Sequence, residues 1–202
     1  MIAVVDYGLG NVRSVCGALE KIGVSYQLTD QHRLMEKAER LILPGVGAFG
    51  DAMKRLREKR LDVLLTKLVM EDKKPILGIC LGAELMGKEG FEFGHTTGLG
   101  WMGYSVRPID CRIGLRIPHV GWNRLYQKKA GSLFAGVPDG ARFYFVHSYY
   151  MDCQDHEMIS GESEYGCRFP AVVEHGNLHA VQFHPEKSQR FGLQLLRNFA
   201  EV

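Results

Sequence analysis

The sequence lacks the features of membrane, secreted and nucleic-acid-binding proteins. None of its apolar runs reaches the roughly 20 residues that a membrane-spanning helix needs. The first residues form an apolar run, without the basic start and small-residue cleavage site of a signal peptide. The net charge is only +2, from 25 basic and 23 acidic residues, so there is no excess of charge for nucleic acid or a membrane surface. We therefore expect a cytoplasmic protein that binds neither nucleic acid nor membranes.

Cysteines are few, and their pattern fits neither a metal cluster nor a disulfide framework. Their number is odd, they are widely spaced, and none forms a Cys-x-x-Cys pair. The usual setting for such a chain is a reducing compartment. We expect one cysteine with special surroundings to be a catalytic candidate and the others to be small core residues. The five are Cys16, Cys80, Cys111, Cys153 and Cys167.

What the sequence does contain is a globular composition and an alternation of strands and helices. Apolar residues are 46% and charged residues 24% of the 202, enough for a full core in a single domain over residues 1–202. The patterns predict an α/β fold, with a mainly parallel central sheet flanked by helices and extended by antiparallel strands. The predicted strands are 2–6, 41–43, 75–79, 101–106, 142–146, 171–174 and 178–183, and the predicted helices are 12–22, 52–68 and 190–200.

Two local features of this pattern are specific enough to test. Pro44 and the glycines after it should stop the strand 41–43. The helix 52–68 is the longest predicted, and its basic run 54–60 is expected to be a solvated face. Its apolar stripe consists of Leu56, Val63, Leu64 and Leu68.

The sharpest local signal is the segment Gly78-Ile79-Cys80-Leu81-Gly82. It follows a buried strand and opens a helical pattern, which is the context of a nucleophile elbow with cysteine in place of serine. The flanking glycines give the backbone room for a sharp turn. The start of a helix would also favour the thiolate of Cys80. A structural cysteine buried at the end of a strand is the alternative interpretation of the same residues.

His184 is the candidate base. It ends the apolar run 178–183, and Pro185 favours an extended conformation for it. Extended residues two apart project to one side, so Glu186 is placed to orient His184 and to stabilise its imidazolium. Alone, the pattern fits a His-Pro turn beside an unrelated surface glutamate equally well. Together with the elbow at Cys80, it favours a Cys-His-Glu triad.

Glycine-rich turns follow the first two predicted strands. In the segment 43–47, Leu-Pro-Gly-Val-Gly, a mobile backbone could turn N–H groups toward a developing oxyanion, although a tight strand-to-helix turn explains it equally well. The turn 8–10, Gly-Leu-Gly, does not predict a dinucleotide site. Arg13 stands where the third glycine of that motif belongs, and no acidic residue follows a second strand at the expected distance.

Together these residues are similar to those of class I, triad-type glutamine amidotransferases. The family's two markers are the elbow around Cys80 and the tripeptide His184-Pro185-Glu186. More narrowly, the chain resembles the glutaminase subunits of imidazole glycerol phosphate synthases, which act in histidine biosynthesis. The segments that carry this likeness span the whole length: DYGLGN (6–11), LPGVG (43–47), GICLG (78–82), PHVGWN (118–123), FYFVHSYY (143–150) and FHPEKS (183–188).

The resemblance implies a flavodoxin-like domain that hydrolyses glutamine to glutamate and ammonia. It implies that Cys80 attacks the side-chain amide carbon, that His184 moves protons and that Glu186 orients His184. Backbone N–H groups of Val46 and Leu81 would form the oxyanion hole. The resemblance implies no metal and no organic cofactor, and it assigns to the glutamine pocket Gly47, Glu84, Ser148 and Tyr149.

The resemblance also implies a partner. This is a cyclase subunit with a (β/α)8 barrel, which forms a heterodimer with the glutaminase, receives its ammonia and makes imidazole glycerol phosphate and AICAR. An oxyanion hole completed only on docking would leave the isolated chain slow. Trp122 and Tyr144 are expected to anchor the interface, unless both are core residues. The positions that match partner-facing residues of the family are Asn11, Trp122, Tyr144 and Lys187.

One departure from the family pattern keeps other functions open. The family continues its elbow with Met-Gln, whereas this chain has Ala83-Glu84. Glutamate lacks the N–H donors of glutamine and adds a charge, so we expect weaker glutamine binding. A carboxylate beside Cys80 would also raise the pKa of the thiol. The alternatives are a paralogous glutaminase that feeds a sugar-amidating barrel in surface polysaccharide biosynthesis, and a catalytically silent amidotransferase-like scaffold.

Overall fold

The computed structural model describes residues 1–109 and 114–202, so Cys111 lies outside the described residues. The first half alternates strands and helices: β1 (Ile2–Val5), α1 (Val12–Lys21), β2 (Tyr26–Thr29), α2 (His32–Lys37), β3 (Arg40–Gly45), α3 (Phe49–Glu58), α4 (Leu61–Thr66), β4 (Ile76–Cys80) and α5 (Leu81–Leu85). The second half is mostly strand: β5 (Glu89–Gly90), β6 (Thr96–Thr97), β7 (Ser105–Pro108), β8 (His119–Arg124), β9 (Tyr126–Gln127), β10 (Arg142–His147), β11 (Tyr149–Asp152), β12 (Ile159–Tyr165), β13 (Cys167–His175) and β14 (Leu178–Val181). The helix α6 (Gln189–Glu201) follows.

The central sheet is the predicted mainly parallel sheet with antiparallel additions. Its eight strands lie in the order β2-β1-β3-β4-β14-β13-β12-β9. The first five are parallel to one another, and the last three join by antiparallel pairing. The parallel part has the 2-1-3-4-5 order of flavodoxin-like folds, which bind ligands at the carboxyl ends of their strands. The expected fold class is therefore confirmed, and the ends of β3, β4 and β14 are where a site should lie.

Hydrophobic clusters pack on both faces of this sheet. One cluster joins α3, α4 and α5 to the sheet, and Phe49, Leu61 and Leu65 are fully buried in it. The other joins α1 and α6 to the opposite face, with Leu19 and Phe199 at its centre. Both faces of the parallel strands are therefore covered, which explains why their sequences are continuous apolar runs. Among the described residues no helix has the length and apolarity to cross a membrane.

The single long helix predicted over 52–68 is wrong. The chain breaks after α3, where Arg60 takes a left-handed conformation with φ of 54°, and a new helix begins at Leu61. The break turns Leu61 and Leu65 into the core and leaves Val63, predicted to be in the stripe, 58% exposed. No glycine or proline marks the break in the sequence. The longest helix is instead α6, with 13 residues.

Two strand predictions need correction as well. Pro44 does not stop β3, which continues through Gly45 and pairs with β4 there. Since β1 pairs with β3 only as far as Ile42, Pro44 lies where β3 has lost one neighbour, a position that tolerates proline. The predicted strand 101–106 begins only at Ser105, because the preceding turn is used to bury the indole of Trp101.

The cysteines other than Cys80 are not all core residues. Cys16 and Cys153 are buried, as expected, but Cys167 at the start of β13 is half-buried. The four cysteines of the described residues are free thiols.

The start of α5 packs so closely against β3 that there is no room for a side chain at Gly82. A Cβ at Gly82 would lie 1.8 Å from the carbonyl oxygen of Leu43, a backbone atom that the sheet holds in place. We expect Gly82→Ala to lower the free energy of unfolding by about 1–3 kcal/mol or more, as overpacked cores do. The matched control is Gly17→Ala, because Gly17 lies inside α1 with no atom within 4 Å of its Cβ position. That change should raise the free energy of unfolding by about 0.5–1 kcal/mol. Urea denaturation measures the free energy of unfolding of both variants. Equal changes in the two would contradict the close packing at Gly82.

Candidate active site

Cys80 lies in a strained turn between β4 and α5. Its backbone has φ of 52° and ψ of −114°, a conformation that residues with a side chain seldom adopt. Such a conformation costs on the order of 1–3 kcal/mol and persists only when its surroundings enforce it. Here the pairing of Gly45 with Cys80 fixes one side of the turn, and Gly82 packs against β3 on the other. The local geometry is that of the predicted elbow.

His184 and Glu186 form a buried pair at the end of β14. His184 Nδ1 lies 2.9 Å from Glu186 Oε1, and both side chains are almost fully buried. Because a carboxylate only accepts, Nδ1 carries the proton, and the lone pair of the neutral ring is on Nε2. The contact arises differently from the expectation. His184 is extended, but Pro185–Lys187 forms a 3₁₀ turn that folds Glu186 back onto the ring.

One cavity of about 240 Å³ brings together Cys80, His184 and all of the predicted pocket residues. It opens at the carboxyl ends of β3, β4 and β14, where a flavodoxin-like fold places ligands. Gly47, Glu84, Ser148 and Tyr149 all line it, as do both residues proposed for the oxyanion hole. The lining consists of Val46, Gly47, Cys80, Leu81, Glu84, Glu92, Pro118, Val146, His147, Ser148, Tyr149, His184 and Lys187.

The thiol of Cys80 is held in its protonated form. Burial raises the pKa of the thiol well above its usual range, and the negative charge of Glu84 raises it further. The backbone N–H of Leu81 lowers it, but this effect is smaller. The Sγ–H donates to the carbonyl oxygen of Val146 at 3.6 Å. The sequence-based expectation of a thiolate favoured by the start of a helix therefore does not describe this state, whereas the expected effect of Glu84 is present.

Glu84 is a buried carboxyl group with one fixed partner. Gln182 Nε2 donates to Glu84 Oε1 at 2.8 Å. Burial raises the pKa of Glu84 to about 7, the Gln182 hydrogen bond opposes this, and the charge of Glu92 adds to it. Glu92 also lines the cavity, and its Oε2 accepts a hydrogen bond from the backbone N–H of Phe49, at the start of α3, at 2.7 Å. The cavity therefore carries two acidic groups beside the thiol.

The segment expected to supply the oxyanion hole lies beside Cys80. Gly45 is paired with Cys80, Val46 is 39% exposed, and Gly47 has a φ of 108° that only glycine adopts readily. Leu81 follows the nucleophile directly, at the first position of α5. Val46, Gly47 and Leu81 therefore line the same cavity as Cys80.

The four residues predicted to face a partner lie on neighbouring elements. Trp122 and Tyr144 are cross-strand neighbours on β8 and β10, with ring centroids 5.9 Å apart. Lys187 Nζ lies 5.8 Å from the centre of the Tyr144 ring. Asn11 directly precedes α1, the helix that packs against the turn carrying Lys187. Trp122 is 43% exposed, so it is not a core residue.

Several residues around the cavity were not predicted. Three of them make contacts between segments that are distant in the sequence, and no local sequence pattern predicts such contacts. They are Glu92, Gln182 and His147. Gln182 and His147 stand inside the motifs FHPEKS and FYFVHSYY or next to them, and this proximity was the available signal. Within residues 1–109 and 114–202, no group of three or more His, Cys, Asp or Glu side chains is arranged to hold a metal ion.

Comparison with known proteins extends these observations to the whole chain. The family model "Glutamine amidotransferase class-I" matches residues 3–202. The chain is 44% identical over 201 residues to a Moorella thermoacetica protein named "Imidazole glycerol phosphate synthase subunit HisH", covering 100% of this chain and 94% of that one. It is 45% identical to "Imidazole glycerol phosphate synthase subunit HisH 1" of Campylobacter jejuni, with both chains fully covered. A solved structure described as a glutamine amidotransferase superposes with a TM-score of 0.77 at 22% identity over all of both chains.

The buried carboxyl group of Glu84 predicts a pH-dependent stability. Its pKa is about 7 in the folded chain and about 4.5 when unfolded, so the folded state binds the proton more strongly. The contribution of Glu84 to the free energy of unfolding therefore decreases as the pH rises from about 4.5 to about 7, and it stays at its lower value above pH 7. We expect Glu84→Gln to raise the free energy of unfolding by up to about 3 kcal/mol at pH 8 and by little at pH 4.

Denaturation with urea at several pH values measures this difference. Glu36→Gln, at an exposed position on α2, is the control for the change of one charge. A pH-independent difference between Glu84→Gln and the parent chain would show that the carboxyl group of Glu84 is not buried as described.

Proposed function

Because the chain belongs to the class I glutamine amidotransferase family, we propose that Cys80, His184 and Glu186 are the residues with which it hydrolyses glutamine. The chain is a glutaminase, and it acts as the ammonia-producing subunit of an imidazole glycerol phosphate synthase in histidine biosynthesis. The likeness over its full length to subunits of that enzyme supports the pathway. The observation that supports the chemistry is the strained elbow thiol, which shares one cavity with a histidine oriented by a carboxylate. We propose that residues 1–202 act as one domain.

The proposed reaction moves one proton through His184 in each of its two steps. The Cys80 thiol gives its proton to His184 Nε2 as Sγ attacks the side-chain amide carbon of glutamine. The imidazolium, stabilised by Glu186, returns the proton to the leaving ammonia, which leaves a glutamyl thioester on Cys80. His184 then takes a proton from water, which attacks the thioester, and the imidazolium returns this proton to the departing Sγ as glutamate is released and the Cys80 thiol is restored. Backbone N–H groups of Leu81 and Val46 are proposed to stabilise the oxyanion of both steps.

The acidic lining of the cavity suits the amino group of the substrate. The charge of Glu92 makes ionisation of Glu84 less favourable, and a cation bound between the two would offset this effect. We propose that they bind the α-ammonium group of glutamine, while Gly47, Ser148 and Tyr149 line the rest of its pocket. Glu84 is therefore compatible with substrate binding even though it differs from the glutamine of the family pattern.

The exposed face of the β8–β10 pair is proposed to bind the partner. Val120 and Trp122 are large apolar side chains exposed on β8, and Lys187 adds a positive charge beside Tyr144. A surface with an exposed tryptophan at its centre and a charged rim is typical of protein interfaces. We propose that a cyclase subunit with a (β/α)8 barrel docks here to form a heterodimer, in the cytoplasm. Docking is also proposed to complete the oxyanion hole at Val46.

Removal of the nucleophile tests the proposed chemistry. In the complex with the cyclase subunit, Cys80→Ala should abolish glutamine-dependent synthesis of imidazole glycerol phosphate and leave synthesis from ammonium salts intact. His184→Ala should lower the glutaminase rate by about 10²–10⁴, as loss of a general base does. Glu186→Gln should lower it less, because the orienting group is partly replaceable. Glutamate production measures each rate, and glutamine hydrolysis retained by Cys80→Ala would refute the assignment.

Truncation of the exposed tryptophan tests the proposed interface. Trp122→Ala should weaken binding of the cyclase subunit by about 2 kcal/mol, roughly 30-fold in Kd. Val63→Ala is the matched control, because Val63 is an exposed apolar residue on α4, a helix whose buried leucines pack on the other face of the sheet. Isothermal titration gives both affinities. If the two variants bind equally well, Trp122 does not lie in the interface.

A further inference from the structure

Two buried histidines beside the cavity have no part in the proposed chemistry. His119 and His147 face each other across the β8–β10 pair, and both are at most 5% exposed. His119 Nδ1 lies 2.9 Å from His147 Nε2, and His147 Nδ1 lies 2.8 Å from the carbonyl oxygen of Tyr149. His147 lines the cavity itself. They belong to the PHVGWN and FYFVHSYY segments, to which the proposed reaction assigns no histidine.

The partners of this pair fix the position of every proton in it. The Tyr149 carbonyl can only accept, so His147 carries its proton on Nδ1. His147 Nε2 is then the acceptor in a neutral ring, and His119 must donate to it from Nδ1. This leaves His119 Nε2 as an acceptor, facing the amide nitrogen of Asn123 at 3.4 Å.

The orientation of the Asn123 amide agrees with this order. Asn123 Oδ1 accepts from the backbone N–H of Arg124 at 2.8 Å, and Nδ2 donates to the carbonyl oxygen of Glu164 at 2.6 Å. The amide nitrogen is therefore the atom that faces His119. The chain of donors runs in one direction, from Asn123 through His119 and His147 to the Tyr149 carbonyl.

The surroundings keep both rings uncharged. His119 is stacked on Tyr165 with ring centroids 4.1 Å apart, and Phe145 stacks at 5.1 Å. Burial lowers the pKa of His119 to about 4 and that of His147 to about 3. Neutral rings are what the donor order requires, because a protonated ring would place two donors against each other.

We propose that His119 and His147 are a positioning pair that holds the Ser148–Tyr149 backbone in place for glutamine binding. The inference rests on the proposed function, because it takes the cavity to be the glutamine pocket. His147 fixes the Tyr149 carbonyl, and His119 fixes the proton of His147 on the nitrogen that makes this contact. The pair also ties the pocket to β8, the strand whose opposite face carries Trp122.

Two substitutions at position 147 separate this role from simple packing. In asparagine the Nδ2 group occupies the place of Nδ1 and can still donate to Tyr149, whereas in glutamine Nε2 takes the place of the other ring nitrogen. In the complex with the cyclase subunit, His147→Gln should raise the KM for glutamine about ten- to hundredfold, the cost of a buried hydrogen bond left unmade. His147→Asn should keep KM within about threefold of the parent value. We expect kcat to change less than KM in both, and ammonium-dependent synthesis should be unchanged.

The nitrogen resonances of the two rings test the pair without glutamine. Labelled with ¹⁵N, the parent chain should show His119 and His147 at pH 7 as neutral rings protonated on Nδ1. Protonation on Nε2 in either ring would overturn the donor order. Equal KM values for His147→Gln and His147→Asn would overturn the positioning role. A parent complex that does not hydrolyse glutamine would instead overturn the proposed function and the role in binding, while the nitrogen spectrum would still decide on the donor order.

Discussion

The site depends on one strained residue, Cys80, whose backbone is held in a conformation that costs on the order of 1–3 kcal/mol. The sheet supplies the constraint. β4 is paired on both sides, with β3 and β14, so its last residue cannot relax along the strand. Gly82 lies so close to the Leu43 carbonyl that no side chain fits between them. The central sheet therefore determines the direction in which the Cys80 side chain points into the cavity.

The strand β10 connects this thiol to the base and to the proposed interface. The Val146 carbonyl accepts from the Cys80 thiol, and the Tyr144 carbonyl accepts from the backbone N–H of His184 at 2.9 Å. The side chain of Tyr144 packs against Trp122 on β8. A displacement of β10 would thus move groups that contact both members of the proposed proton transfer. A partner bound to Trp122 and Tyr144 that shifted β10 would therefore also shift the carbonyl groups that contact Cys80 and His184.

The sequence predicted those features of the site that arise from local sterics and periodicity. The glycines around Cys80 and the short spacing of His184 and Glu186 act within a few residues. The first gave the expected sharp turn, and the second gave the expected contact, although through a 3₁₀ turn rather than an extended segment. The sequence did not predict the helix break at Arg60, because no glycine or proline marks it. The break turns Leu61 and Leu65 into the core, and that packing is not visible in the local pattern. The contacts of Glu84 with Gln182 and of His119 with His147 join segments 98 and 28 residues apart. Such contacts depend on strand order and register, which the pattern of one sequence does not contain.

The acidic lining of the cavity affects the protonation of the Cys80 thiol. The charge of Glu92 opposes ionisation of Glu84, and the charge of Glu84 opposes ionisation of the Cys80 thiol. A ligand that brings a positive charge between these carboxyl groups removes the largest charge effect on the thiol, although burial still opposes ionisation. In the proposed mechanism, such a ligand would make the proton of Cys80 easier to transfer to His184. If Glu84 binds the amino group of glutamine as proposed, the same charge that holds the proton on the thiol also attracts the substrate, and ionisation of Cys80 is coupled to substrate binding.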